Sequence, residues 1–185
     1  MLQTNRLILR QWNDEDLIPF AQLNADPVVM EYFPATLSTV ESDDLANTIR
    51  SLIEQRGWGL WAVEAPGRAA FIGFVRLHIP ADDLPCSPCV EIGWRLATAH
   101  WGKGYASEAA DAALGHAFGE LGLEAVVSFT AAINKRSEAV MQNIGMTNTR
   151  QNFRHPRVDP ASALCEHVLY KIHREDWVQR LNRMA

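Results

Sequence analysis

The sequence predicts one compact α/β domain, and three observations predict it. The 185 residues are 48% hydrophobic, which suits a single full-sized core. Extended apolar runs, of which Cys89-Val90-Glu91-Ile92-Gly93-Trp94-Arg95-Leu96 is the clearest, are interleaved with helical patterns. In the strongest of those patterns Ala106, Ala109, Ala110, Ala113, Leu114, Ala117, Phe118 and Leu121 recur at i, i+3, i+4, i+7 and i+8, the spacing of one helical face.

Taken in order, Arg6 to Gln11 alternates as a first strand. Asp14 to Leu23 reads as a capped helix and Ser38 to Gln55 as a second, with Ser42, Asp43 and Asp44 near its start and Gly57 past its end. Gly59 to Glu64 and Phe71 to His78 are neighbouring strands joined by a Pro66-Gly67-Arg68 turn, and Asp82 to Pro88 is a polar, proline-bearing loop. After the Cys89–Leu96 strand and the alanine-rich helix come a β-branched strand from Glu124 to Thr130 and a short helix from Asn134 to the Asn143-Ile144-Gly145-Met146 stop. Phe153 to Ala163, broken by Pro156 and Pro160, is irregular, and Val168 to Ile172 is a late strand.

Composition excludes several classes of function. No low-complexity tract or repeat is present, no uncharged apolar run approaches membrane-spanning length, and Met1 to Arg6 lacks a basic-then-apolar leader, so the expected location is the cytoplasm. Cys86, Cys89 and Cys165 are too few for a disulfide scaffold; Cys86-Ser87-Pro88-Cys89 has metal-like spacing, but no second Cys/His pair completes a site, and no metal is expected. In residues 1–60, Arg6, Arg10, Arg50 and Arg56 face Asp14, Glu15, Asp16, Asp26, Glu31, Glu41, Asp43, Asp44 and Glu54, so this part carries the whole net charge of −5. Such a distribution disfavours nucleic acid and favours a cationic partner, unless these carboxylates form only a solvated face.

The segment from His100 to Ala110 joins the Cys89–Leu96 strand to the alanine-rich helix through small residues. Gly102 and Gly104 leave room for a ligand and allow unusual backbone angles, the helix start offers unpaired N–H groups, and Lys103 adds a charge, so a phosphate would be at home there. The better-known phosphate loops do not fit: Ser107 stands where the dinucleotide pattern needs a third glycine, and no Gly-Lys-Ser/Thr is present. The alternative is an ordinary strand-to-helix turn.

With Asn134-Lys135-Arg136-Ser137 added, the chain resembles the GNAT superfamily of acyl-CoA-dependent N-acetyltransferases. Its pyrophosphate loop, Gln/Arg-x-x-Gly-x-Gly/Ala, maps to Trp101-Gly102-Lys103-Gly104-Tyr105-Ala106, with Trp101 in place of Gln/Arg. That variant resembles the branch containing the ribosomal-protein N-terminal (alanine/serine) acetyltransferases, as do Thr4-Asn5-Arg6-Leu7-Ile8-Leu9-Arg10, Asp26-Pro27 with Tyr32-Phe33-Pro34, Glu91-Ile92-Gly93-Trp94, and Asn134-x-x-Ser137. The resemblance implies a single domain over 1–185: a mixed, mostly antiparallel sheet whose central strands splay apart, flanked by helices, with acceptor-side helices at about 14–56 and an acetyl-CoA-binding core at about 71–150.

The same resemblance implies acetyl-CoA as cosubstrate and direct acetyl transfer to a primary amine, either a protein or peptide N-terminus or a small-molecule amine, with no membrane or nucleic-acid partner. A homodimer is compatible with the sequence, which does not set the oligomeric state. The residues implied to hold the cosubstrate are Ile92, Trp94, Leu96, Trp101, Gly102, Lys103, Gly104, Tyr105, Ala106, Ser107, Asn134 and Ser137. Glu91 is the candidate general base, or else a partnered structural carboxylate; Ser137 is the candidate group near the departing sulfur, and Asn134 and Ser137 read equally as helix caps. The superfamily's usual acid, a tyrosine seven residues after the asparagine, is Met141 here, which cannot donate a proton and leaves a non-catalytic acyl-CoA-binding module as the alternative. Trp101 is expected to brace the loop by packing, Trp58 and Trp61 to line either the core or the acceptor cleft, and His155 to form a turn or reach the acceptor pocket.

Overall fold

A computed structural model describes residues 1–80 and 84–184, so Asp82 and Asp83 of the expected polar loop lie outside the described residues. The strands are β1 (Leu2–Gln3), β2 (Ile8–Arg10), β3 (Leu60–Ala65), β4 (Ala69–His78), β5 (Glu91–Leu96), β6 (Ala125–Ala131), β7 (Thr147–Asn148), β8 (Phe153–Arg154) and β9 (Glu166–His173). The helices are α1 (Leu17–Ala25), α2 (Thr39–Arg56), α3 (Tyr105–Gly119), α4 (Lys135–Asn143) and α5 (Arg174–Met184), with 3-10 turns at Asp14–Asp16 and Thr98–His100. One sheet runs in the order β1-β2-β3-β4-β5-β6-β9-β7, with β8 also on β9. Every pairing is antiparallel except β5 with β6, the mixed, mostly antiparallel sheet that the resemblance implies.

Local chemistry sets the boundaries. Ser38 caps α2 rather than the downstream Ser42, because Ser38 and Glu41 close a reciprocal capping box; Gly57 ends the helix in the left-handed region at φ 77°. The expected first helix begins as a 3-10 turn and becomes α-helical only at Leu17. The sequence reading overlooked β1, β7, β8 and α5, and β8 falls inside the stretch expected to be irregular. Two-residue strands are too short to show period 2. Helix α5 is held by Trp177 against Phe118, at 5.5 Å between ring centres, and by Arg180 on Asp111, while Val178 and Leu181 remain exposed. One apolar anchor leaves no helical stripe to read.

The two sheet faces have different covers. Trp61 meets His116 of α3 edge-on at 5.5 Å, so α3 covers the face that carries Trp61 and its partner Val75. Phe74, one residue along β4, points the other way and meets Phe20 of α1 at 6.0 Å. Trp61 is therefore core, and Trp58 packs against that core. A smaller apolar cluster of Leu84, Val127, Phe153 and Leu169, joined by Phe129, Cys86 and Cys89, lies beside the main one. Among the described residues no helix is long and apolar enough to cross a membrane.

Candidate active site

The site begins with a separation of strands. β5 and β6 share one register pair, Glu91 with Val127, fastened by the Val127 N–H donating to Val90 O at 3.0 Å. Beyond it the strands part, and a cleft of about 850 Å³ opens between them. Its wall runs from Glu91, past Trp94 and Leu96 on β5, to the Trp101–Ser107 loop, and returns along β6 and α4 through Thr130, Asn134 and Ser137.

Gly102 and Gly104 shape the loop end. Both have positive φ, 69° and 78°, and Gly104 is the residue immediately before α3. A side chain on Gly102 would point into open space, which leaves the approach to the amides clear. The N–H groups of Tyr105, Ala106 and Ser107, in the first turn of α3, have no acceptor within the helix and lie at its positive end. This is a cradle that fits a pyrophosphate. Lys103 turns away, its Nζ donating to Ala99 O at 2.7 Å, and is absent from the cleft wall. Trp101 braces the loop as expected, its indole N–H donating to Leu96 O at 2.7 Å.

The loop is also held from the other end of the chain. Glu108, in the first turn of α3, accepts from Thr4 Oγ1 at 2.6 Å, from the Arg6 amide at 3.0 Å and from Arg6 Nε at 2.6 Å. Arg6 Nη1 donates to Lys103 O at 3.0 Å, and its guanidinium lies 4.8 Å from the Tyr105 ring centre. Burial would push the Glu108 carboxyl up, but the hydrogen bonds from Thr4 and Arg6 outweigh it and hold the group below the usual carboxylate range. The sequence reading assigned no task to Arg6 or Glu108.

At the far end, Glu91 is buried, 3% exposed, and its partner is Arg76 on β4. Arg76 Nη2 donates to both carboxylate oxygens, at 2.7 and 2.9 Å. Gly93 makes this reach possible. It is the direct cross-strand partner of Arg76, and a β-carbon there would lie 2.8 Å from Arg76 Nε. Glu91 and Gly93 share the sheet face of Phe74, as alternation requires, while Ile92 is fully buried beneath and presents no side chain to the cleft. Burial raises the Glu91 carboxyl above its usual range against the opposing pull of Arg76. His78, the cross-strand partner of Glu91, is pushed down to about 4 by burial and by Arg76 and Arg56, so it is neutral at neutral pH.

On the opposite wall, Asn134 caps α4: its Oδ1 accepts from the Ser137 N–H at 3.2 Å, and its Nδ2 donates to Thr130 Oγ1 and to Ser137 Oγ at 2.9 and 3.1 Å. Capping and a place in the cleft thus coexist in the same residues. Met141 is 1% exposed and belongs to the core. Arg136, which the sequence reading passed over, pairs with Glu31 across the cleft mouth and lies 4.5 Å from the Trp101 ring centre. His155 lines the cleft and sits 4.9 Å from the His167 ring. Burial and a hydrogen bond with Cys86 push the Cys89 thiol up to about 12, which leaves it protonated and a poor nucleophile. Among the described residues no group of His, Cys, Asp and Glu is placed to hold a metal ion.

The comparisons with known proteins agree with this geometry. An acetyltransferase (GNAT) domain model matches residues 6–147, and the chain belongs to that family of acetyltransferases. It is 35% identical over 127 residues to FsC-acetyl coenzyme A-N(2)-transacetylase of Aspergillus fumigatus, covering 66% of this chain and 53% of the relative, so it spans about half of that protein's length. It is also 32% identical to the uncharacterized protein YkkB of Bacillus subtilis, over 78% of this chain and 84% of that one. A crystal structure of a GNAT-family acetyltransferase from Bacillus anthracis superposes with a TM-score of 0.78 at 25% identity, covering 94% of this chain and 98% of the other.

Proposed function

We propose that the chain transfers the acetyl group of acetyl-CoA to a primary amine, on a peptide N-terminus or a small molecule, within a ternary complex. The observation that carries this reading is the parting of β5 from β6: it joins an anion cradle at one end to a buried carboxylate at the other through one continuous cleft. The printed name of the Aspergillus relative, a transacetylase from acetyl coenzyme A to N(2), supports the donor and a nitrogen acceptor.

Acetyl-CoA supplies the activated thioester. The amides from Gly102 to Ser107 hold its pyrophosphate, Trp94 and Leu96 border the arm, and Asn134 and Ser137 flank it from α4. Glu91 takes the ammonium proton, directly or through water, freeing the nitrogen lone pair to attack the carbonyl carbon. The carbon–nitrogen bond forms, the carbon–sulfur bond breaks, and the proton that the acylated nitrogen sheds neutralises the departing thiolate; Ser137 is a hydroxyl on that wall able to hydrogen-bond the sulfur. Burial raises the Glu91 carboxyl, which strengthens it as a base, and Arg76 opposes that rise by favouring the ionised form.

The test is thiol release from acetyl-CoA with a broad panel of amines and peptides, with acetylated products identified by mass spectrometry. Sustained turnover is the expected result. Tight acetyl-CoA binding by calorimetry with no release for any amine would show a binding module instead.

A further inference from the structure

We propose that Arg95 binds an anionic group of the acceptor, so that the preferred acceptor is an amine that also carries a carboxylate. The inference rests on the transferase reading above and narrows its substrate class.

Arg95 lies on β5 on the same face as Glu91 and Gly93, lines the cleft, and is held in one orientation. Its Nη1 donates to Asn24 Oδ1; Asn24 is itself tied to Ser42 Oγ at 2.9 Å. The guanidinium lies 4.1 Å from the Phe33 ring centre and 5.3 Å from that of Phe74. Its Nε is shielded from solvent and donates to nothing. No carboxylate of the described residues lies within ion-pair distance of it. Burial, with Arg76 nearby, pushes the Arg95 pKa down to about 9, so the group still carries its charge at neutral pH.

A desolvated guanidinium without a counter-charge is costly to keep, and two other arginines of the cleft wall show what a neutralised one looks like. Arg76 is neutralised by Glu91 and Arg136 by Glu31. Unlike Arg76 and Arg136, Arg95 has an orienting amide and an aromatic platform but no counter-charge among the described residues. A planar carboxylate matches its fork.

The charge distribution supports an anion over a polyamine. The acidic surplus in residues 1–60 supplies no residue to the cleft wall: among the described residues Glu91 is the one carboxylate there, and Arg76 already engages it. Asp14 and Asp16 are bound to Arg50 and Arg10, and Glu31, at the cleft mouth, is bound to Arg136. A second ammonium on the acceptor would meet Arg95 with nothing to compensate it. From Glu91 to Arg95 is four residues of strand, roughly 13 Å, so the spacing between amine and carboxylate is a quantity to scan.

The experiment compares matched pairs: α-amino acids, dipeptides, and ω-amino acids with two to six carbons between the groups, each beside its carboxamide, with spermidine as a cationic control. kcat/KM is read with wild type, Arg95→Lys and Arg95→Met, and acetyl-CoA affinity by calorimetry. Wild type should prefer the carboxylate member of at least one pair by about tenfold or more, and both variants should lose that preference while acetyl-CoA affinity stays within about twofold. The inference is overturned if no pair is discriminated, if spermidine is the better substrate, if the variants depress both members of a pair equally, or if they weaken acetyl-CoA, which would make the anion the cosubstrate's. Should neither variant fold, the wild-type pairs decide alone. Silence with every amine despite acetyl-CoA binding would defeat the transferase reading itself, and the inference with it.

Discussion

Replacing Arg76 with Met should move the acidic limb of the pH–rate profile upward by roughly one unit. The substitution keeps an unbranched apolar stem over Gly93 and removes the guanidinium whose Nη2 serves both Glu91 oxygens, at 2.7 and 2.9 Å. Hydrogen bonds to a charged group contribute about 1.5–3 kcal/mol, and the partial exposure of the Arg76 side chain, 33%, places this pair near the lower end. One pKa unit corresponds to about 1.4 kcal/mol, which gives the expected shift. Its direction follows from the forces on Glu91: burial favours the protonated form, Arg76 opposes burial, and its removal lets burial win at higher pH. A base must be ionised to accept a proton, so activity at a fixed pH near the limb falls and is regained as pH rises. His78 is held down first by burial, which the substitution leaves in place, and to a lesser degree by Arg76, which it removes, so the same profile in a His78→Gln background separates any ionisation of His78 from that of Glu91. The assay is kcat/KM against pH for wild type and variant with one amine, so that the amine's own ionisation cancels. A limb that stays in place, or moves down, would remove Glu91 from the role of base.

Other changes test neighbouring parts of the argument. Glu91→Gln should lower kcat/KM by roughly 10²-fold with little change in acetyl-CoA affinity and partial recovery at high pH; a near-normal rate with an unchanged profile would contradict it. Gly104→Val should weaken acetyl-CoA binding about tenfold or more in a folded protein, since a β-branched residue at φ 78° costs about 1–2 kcal/mol and its β-carbon would lie 3.4 Å from Arg6 Nη2, disturbing the brace on the loop; unchanged affinity in calorimetry would place the pyrophosphate elsewhere. Lys103→Ala should cost about 1 kcal/mol or less in the same titration, because Nζ is spent on Ala99 O. Gly73→Ala should destabilise the fold by roughly 2–4 kcal/mol in denaturant unfolding, since the new β-carbon would lie 2.1 Å from Arg95 O, a main-chain atom between two paired strands; a variant as stable as wild type would show that β4 and β5 can separate there.

How much of this was legible in the sequence depends on the range of each interaction. The alanine stripe on α3, the glycine pair before it and the Asn134 cap are set by residues within a turn or two of each other, and they were readable. The alternation that puts Glu91 and Gly93 on one face was readable for the same reason. Arg76 was not: it meets Glu91 because β4 and β5 pair in one particular register, and a lone arginine in a strand carries no sign of its diagonal neighbour. The partners of the acidic amino-terminal part were hidden in a related way. Of its nine carboxylates, Asp14 and Asp16 are bound by Arg50 and Arg10 of the same part of the chain and Glu31 by Arg136, far along it, pairings that composition alone does not show.

The amino-terminal Thr4-Asn5-Arg6-Leu7 stretch marks a division of labour that the loop alone hides. A glycine pair can expose helix-terminal amides to an anion, but the same freedom would let the loop wander, since glycine has more conformational entropy to lose than any other residue. Glu108 and Arg6 answer that cost from outside the loop: the carboxylate fixes the first turn of α3 by three hydrogen bonds to Thr4 and Arg6, while Arg6 reaches past it to the Lys103 carbonyl between the two glycines. Each partner lies about a hundred residues from the other in sequence, and β1 and β2 bring them together by placing the amino terminus on the sheet edge beside α3. The positive end of α3 is thus kept for the ligand. Arg6, a cation that would otherwise compete with the amides for a phosphate, is neutralised by Glu108 and turned toward a carbonyl. Lys103 is likewise engaged by Ala99 O, so neither Arg6 nor Lys103 competes with the main-chain amides for a phosphate.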